Sequence, residues 1–215
     1  MRRNGWTGIG VDCWVDTLAF SVNYDYRCPF ARNAHEHVVE ALRGGAAWDV
    51  EFVPFSLTQV HAEPGDPPVW EDPARADTLL AIEAGLVVRD GFPDLFLDVH
   101  LGMFAARHDE GRDLRQTAVV RDVLAASGVD ADAVLTEVER GWPREMFRKA
   151  HETSVGEHHV FGVPTFVVSD SAAFVRLMTR PGGDTDAARV TIEHVLGLLV
   201  DHPELNEFKH TSIDR

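Results

Sequence analysis

Cys28 stands in the run Asp25-Tyr26-Arg27-Cys28-Pro29-Phe30-Ala31, where a β-rich segment gives way to a helical pattern. Pro29 suits the first position of a helix, because its missing N–H has no helical partner to lose. Cys28 would then lie at the N-cap, facing free backbone N–H groups and the positive end of the helix dipole. Both favour thiolate over thiol, so the expectation is a lowered pKa and a nucleophilic sulfur. Arg27 and Arg32 flank it and could add to that effect. Three residues on, where a second sulfur would complete a Cys-x-x-Cys pair, the chain has Ala31. A thiolate can form a mixed disulfide, but Ala31 cannot resolve it. Resolution would fall to an external thiol.

Cys13 is a poor substitute. The strand from about Thr17 to Asp25 separates the two cysteines. Eight extended residues span roughly 26 Å, whereas the Cα atoms of a disulfide approach within about 7 Å. Unless the N-terminal extension folds back, Cys13 is out of reach, and in a loose segment it reads as an ordinary small apolar residue. The histidines of "NAHEHV" and "AHETSVGEHHV" include His35, His37, His151, His158 and His159. Two histidines at i, i+4 would face one metal, but these stand at i, i+2, or at i, i+7 and i, i+8, and no zinc motif fits. No metal site is expected. His158 or His159 could lie near the later Val163–Pro164 turn and tune Cys28, although a solvated helix end is the simpler reading. Tyr24, Tyr26, Phe30, Phe161 and Trp70, with Arg27 and Arg32, are expected to shape a substrate groove. Phe96, Met103 and Phe104 have helical spacing and read as core.

The elements that must position these residues follow from periodicity. Thr17 to Asp25 is β-rich. From Pro29, apolar residues at Phe30, Ala34, Val38, Ala41 and Leu42 form a helical stripe that stops at Gly44-Gly45. Trp48 to Leu57 alternates as a second strand, giving a βαβ unit. A Pro-rich loop follows. Helical patterning then covers about 73–89, 92–108, 113–127 and 131–159, the last broken near Pro143. Strand character returns at Val163–Val168 and Ala172–Met178, and Asp184 is placed to cap a helix over about 185–200. The order β-α-β, helical block, β-β-α describes an α/β fold with a large all-α insertion. Cys28 falls at the carboxyl end of a strand, where such folds carry their sites.

The chain has 215 residues and a net charge of −15. An acidic protein repels nucleic acid and anionic membranes, so neither is an expected partner. No apolar core follows the N-terminal arginines, and no run approaches a membrane span. The expectation is a cytoplasmic protein with free thiols.

The Tyr-Asp-Tyr-Arg-Cys-Pro-Phe-Ala segment, the long helical insertion and Phe161-Gly162-Val163-Pro164-Thr165-Phe166-Val167-Val168 together resemble the DsbA-like branch of the thioredoxin superfamily. The resemblance covers roughly Thr17 to Val200. It implies a discontinuous thioredoxin-like domain over 17–70 and 156–202, a helical subdomain over 71–155, and terminal extensions at 1–16 and 203–215. It implies a cis Val163–Pro164 bond beside Cys28, with Pro29, Phe30, Ala31, Val163, Pro164 and Thr165 shaping the site and Val163 offering its backbone to the substrate. Ala31 departs from the family's paired cysteines. The activity implied is thiol–disulfide exchange through Cys28 alone, with no tightly bound cofactor and a low-molecular-weight thiol as co-substrate. Two other readings stay open. One is a small-thiol-dependent isomerase or transferase, resembling 2-hydroxychromene-2-carboxylate isomerase or kappa-class glutathione transferase, although those relatives typically carry serine where Cys28 stands. The other is a redox-inactive binding module. The oligomeric state is not legible.

Overall fold

The computed structural model describes residues 17–210. Cys13 and the rest of the extension 1–16, and residues 211–215, lie outside the described residues. Strand β1 (Leu18–Tyr24) is central in a four-stranded sheet of order β2-β1-β3-β4. It pairs in parallel with β2 (Trp48–Pro54) and antiparallel with β3 (Thr165–Val168), and β3 pairs antiparallel with β4 (Ser171–Phe174). Inward positions Val22 and Tyr24 are fully buried, as a strand with neighbours on both sides requires.

Helix α1 (Pro29–Arg43) crosses from β1 to β2 and packs against the last helix, α8 (Thr185–Asp201). Where they meet, a Cβ on Gly44 would come within 2.7 Å of the Thr185 side chain. Only glycine lets the end of α1 approach α8 so closely. Asp184 caps α8 by accepting from the Ala187 N–H at 2.9 Å.

Between β2 and β3 the chain is entirely helical or irregular. A single turn, α2 (Leu57–Val60), and a 3-10 segment (Pro73–Leu79) lead into α3 (Leu80–Gly91) and α4 (Pro93–His108). Then follow α5 (Thr117–Ala126), α6 (Ala131–Glu139) and α7 (Trp142–His158). Phe96, Met103 and Phe104 on α4 are core residues, as their spacing indicates. The architecture is a thioredoxin-like α/β fold carrying a large helical insertion.

Three expected elements differ in extent. β2 stops at Pro54; one further backbone bond, Phe55 N–H to the Tyr24 carbonyl at 2.8 Å, closes the ladder, and Ser56 caps the turn into α2. β4 stops at Phe174 because its partner β3 begins only after Pro164. One more backbone bond, Val175 N–H to the Pro164 carbonyl at 3.0 Å, closes the pairing. The break between α6 and α7 falls at Gly141, with φ of 81°, and Pro143 lies in the first turn of α7 rather than at a kink.

Candidate active site

Cys28 is the N-cap of α1, with extended backbone (φ −91°, ψ 117°). Its own N–H donates to the Asp25 carbonyl at 2.9 Å, which folds residues 25–28 into a tight turn. The sulfur accepts from the Ala31 N–H at 3.4 Å. On its other side the Cys28 thiol donates to the Val163 carbonyl at 3.2 Å. The Val163–Pro164 peptide is cis. Thus residues far apart in sequence meet at one sulfur: the start of α1 and the turn that opens β3. Thr165 closes that turn, its hydroxyl donating to the Gly162 carbonyl at 2.8 Å. Pro29 is exposed, Phe30 half-buried and Ala31 fully buried.

The sulfur's electrostatics differ from the sequence expectation. Burial pushes the Cys28 thiol up from its ordinary pKa. The Ala31 and Phe30 N–H groups pull it down, Asp25 pushes it up, and Arg176 pulls it down, but burial dominates. A cysteine only 8% exposed, donating its proton to a carbonyl, rests as a thiol. The N-cap geometry is present, but desolvation outweighs it.

Arg27 and Arg32 also differ from expectation. Arg27 folds back onto Asp25, pairing at 2.6 Å. Arg32 pairs with Asp109 at 2.6 Å and approaches Glu36 at 3.6 Å, and Arg180 bonds the same two carboxylates. Both flanking arginines are thus spent on neighbouring acids. The cation that acts on the sulfur is Arg176, just past β4. Its guanidinium carbon lies 5.4 Å from the Phe30 ring centroid and 5.8 Å from that of Phe174. Sequence reading passed over Arg176 because it sits in an apolar run. Its being a lone charge in that run was the available signal.

The expected aromatic groove is corrected in the same way. Tyr24 and Tyr26 are 0% and 1% exposed and belong to the core, although Tyr26 also lines a cavity with Asp25, Arg27 and Leu114. Trp70 packs against Phe147 and His151 beneath α7. Phe161 remains on the surface at 68% exposure and packs against Phe174 with the rings tilted, at a centroid distance of 5.3 Å. The rim of the site is therefore Phe30, Phe161, Phe174 and Arg176.

Beneath the Cys28 turn runs a buried polar chain that the sequence did not announce. His35 Nε2 faces the Asn23 carbonyl at 3.3 Å, His100 Nε2 faces His35 Nδ1 at 2.8 Å, and the Tyr26 hydroxyl faces His100 Nδ1 at 3.0 Å. Burial lowers the His35 pKa to about 3 and holds His100 well below its ordinary value. With both rings neutral, the Asn23 carbonyl fixes every direction. His35 Nε2–H donates to it, His100 Nε2–H donates to His35, and Tyr26 O–H donates to His100. His108 completes the clamp by donating to the Tyr26 carbonyl at 2.9 Å. A Cβ on Gly85 would come within 2.8 Å of the Tyr26 hydroxyl, so α3 seals the chain from above. His158 lies in the last turn of α7 and His159 is its exposed C-cap.

A DSBA-like thioredoxin domain is recognised over residues 94–181, a span that includes the Val163–Pro164 turn and begins after Cys28. No curated protein matches by sequence. Solved structures do match. The cytosolic disulfide reductase DsbM from Pseudomonas aeruginosa, determined with GSH, aligns at TM-score 0.58 and 16% identity, over 83% of this chain and 99% of that one. MdbA, a thiol-disulfide oxidoreductase from Actinomyces oris, aligns at 0.58 and 15%, over 81% and 80%. A 2-hydroxychromene-2-carboxylate isomerase aligns at 0.58 and 15%, over 88% and 100%. The fold is that of the DsbA-like thioredoxin proteins.

Proposed function

We propose that the protein is a DsbA-like thiol–disulfide oxidoreductase working through Cys28 alone, with a low-molecular-weight thiol resolving its mixed disulfides. The observation that carries this is the convergence on one sulfur of an α1 N–H and the Val163 carbonyl, with Ala31 where a resolving sulfur would sit. In the first step the Cys28 proton passes to solvent and the thiolate attacks one sulfur of a disulfide. A Cys28 mixed disulfide forms and the other sulfur leaves as a thiolate. In the second, a small thiolate attacks the mixed disulfide, forms a new S–S bond and returns Cys28. Electrons balance over the two exchanges, and no other redox group is needed.

Burial fits a persistent intermediate. It penalises the Cys28 thiolate but not the uncharged mixed disulfide. It also makes Cys28 a poor leaving group, since low-pKa thiols leave faster. We place the protein in a reducing cytoplasm, where small thiols abound. The matching GSH-bound disulfide reductase is described as cytosolic, which supports both points. A small-thiol-dependent isomerase is the second reading, supported by the absence of a second sulfur at position 31 and by the isomerase match.

The test is intact-protein and peptide mass spectrometry in a Cys13→Ser background. Incubated with oxidised glutathione, the protein should gain one adduct at Cys28 that outlasts removal of the reagent. Ala31→Cys should shorten the adduct's lifetime and yield a 28–31 disulfide. Absence of an adduct at Cys28 rules out exchange. An adduct-free protein that still isomerises a small-thiol conjugate supports the second reading.

A further inference from the structure

We infer that Arg176 is the anion-recognition residue of the Cys28 site, selecting a small thiol or disulfide that carries a carboxylate near its sulfur. The inference rests on the exchange reading above and names the substrate class.

Around the Cys28 turn and the hairpin beside it stand Arg27, Arg32, Arg176 and Arg180, and Arg107 and Arg115 line a cavity with Asp25, Tyr26 and Arg27. Arg27 is neutralised by Asp25, while Arg32 and Arg180 share Asp109 and Glu36. Arg176 has no carboxylate within ion-pair distance among the described residues, and its guanidinium donates no hydrogen bond to the protein there. In a chain of net charge −15, acids are in excess and most arginines find one. Among the described residues Arg107 and Arg176 are the exceptions, and Arg176 is the one packed on Phe30, two residues from the nucleophile.

Arg176 is also held in place. Phe30 and Phe174 offer their rings to the guanidinium at 5.4 and 5.8 Å, the range of cation–π attraction. A guanidinium held against rings rather than by acids keeps its N–H donors unspent, and that fork can bind a carboxylate through two parallel bonds. Its backbone is anchored too. Val175 N–H bonds the Pro164 carbonyl, and the adjoining Val163 carbonyl faces the sulfur. Phe30, on its other side, is two residues beyond Cys28. Cation and sulfur therefore flank the same cis turn.

The net charge does not defeat this. At physiological ionic strength, charges beyond about 8 Å are largely screened, so the nearest unpaired group sets the local field. The buried acid of the site, Asp25, is already matched by Arg27. In the exchange, the Cys28 thiolate attacks an R–S–S–R disulfide, giving Cys28–S–S–R and R–S⁻, with Arg176 pairing the carboxylate of the bound R group.

The experiment measures rates of Cys28 adduct formation with three small disulfides of similar size: dithiodipropionate (anionic), hydroxyethyl disulfide (neutral) and cystamine (cationic). Wild type, Arg176→Gln and Arg176→Lys are compared, all carrying Cys13→Ser. The neutral probe absorbs any general change in thiol ionisation. Wild type should favour the anionic probe over the neutral one. Arg176→Gln should lower that ratio about 10-fold, the scale of one charge-assisted pair, and Arg176→Lys should restore part of it. A wild-type order of cationic over neutral over anionic, as net charge alone dictates, overturns the inference and leaves the exchange reading standing. So does an Arg176→Gln variant that slows all three probes equally. Failure of every probe to modify Cys28 overturns the exchange reading, and the inference with it.

Discussion

Cys28 shows two opposed effects of its surroundings. The N-cap position puts the Ala31 N–H on the sulfur, and burial withdraws the water that a thiolate needs. Because burial dominates, the Cys28 pKa lies above the ordinary thiol range, and a pH profile should show it. The rate of Cys28 alkylation by a neutral reagent should keep rising past the point where a free cysteine levels off. A profile that saturates below pH 8 would mean that the dipole and Arg176 overcome desolvation. The sulfur, its proline and Ala31 were all legible in sequence, since they are neighbours in one short motif. The sign of the shift was not. It depends on cover from Val163, 135 residues away, and no local pattern reports a contact at that separation.

At the scale of elements, legibility follows the range of the forces involved. β1, α1 and β2 could be drawn from period and punctuation because Pro29 and the Gly44-Gly45 pair mark their ends. The close of β4 could not, because a strand ends where its partner does. Tyr24 and Tyr26 illustrate the same limit. They read as groove residues next to the cysteine, yet α4 folds over them and supplies His100. That contact joins the helical insertion to the Cys28 turn through directed hydrogen bonds, so its loss should be felt as stability. Tyr26→Phe keeps the ring but leaves His100 Nδ1 buried without its donor. The expected loss is roughly 1–3 kcal/mol, the cost of one unsatisfied buried polar group. Urea denaturation of wild type and variant, read by tryptophan fluorescence, measures it. Equal midpoints would show that His100 finds another donor and that the chain does not hold α4 to the turn.

For the whole molecule, the buried histidines should set the limit of stability towards acid. His35, His100 and His151 are each at most 4% exposed. Burial depresses all three: His35 to about 3, His151 to about 4 and His100 well below its ordinary value. In the unfolded chain each would take up a proton near pH 6.5. The sign follows directly. Above pH 6.5 both states hold these rings neutral, and their contribution to folding is complete. As pH falls below 6.5 the unfolded chain binds protons that the folded chain refuses, and stability declines until the folded values are reached. Each histidine loses about 1 kcal/mol between pH 6.5 and 5.5, so the three together lose about 3 kcal/mol. Glu83 works the other way. Burial raises its pKa against the pull of Arg144, so at this residue falling pH favours the folded state. Because His35 and His100 tie β1, α1 and α4 together and His151 ties α7 to the start of α2, their protonation should open sheet and insertion in one transition. Denaturation midpoints measured at pH 7.5, 6.5 and 5.5 should stay level between the first two within about 1 kcal/mol and then drop. A midpoint unchanged at pH 5.5 would mean that water reaches these rings in the folded protein and that the buried chain is not dry.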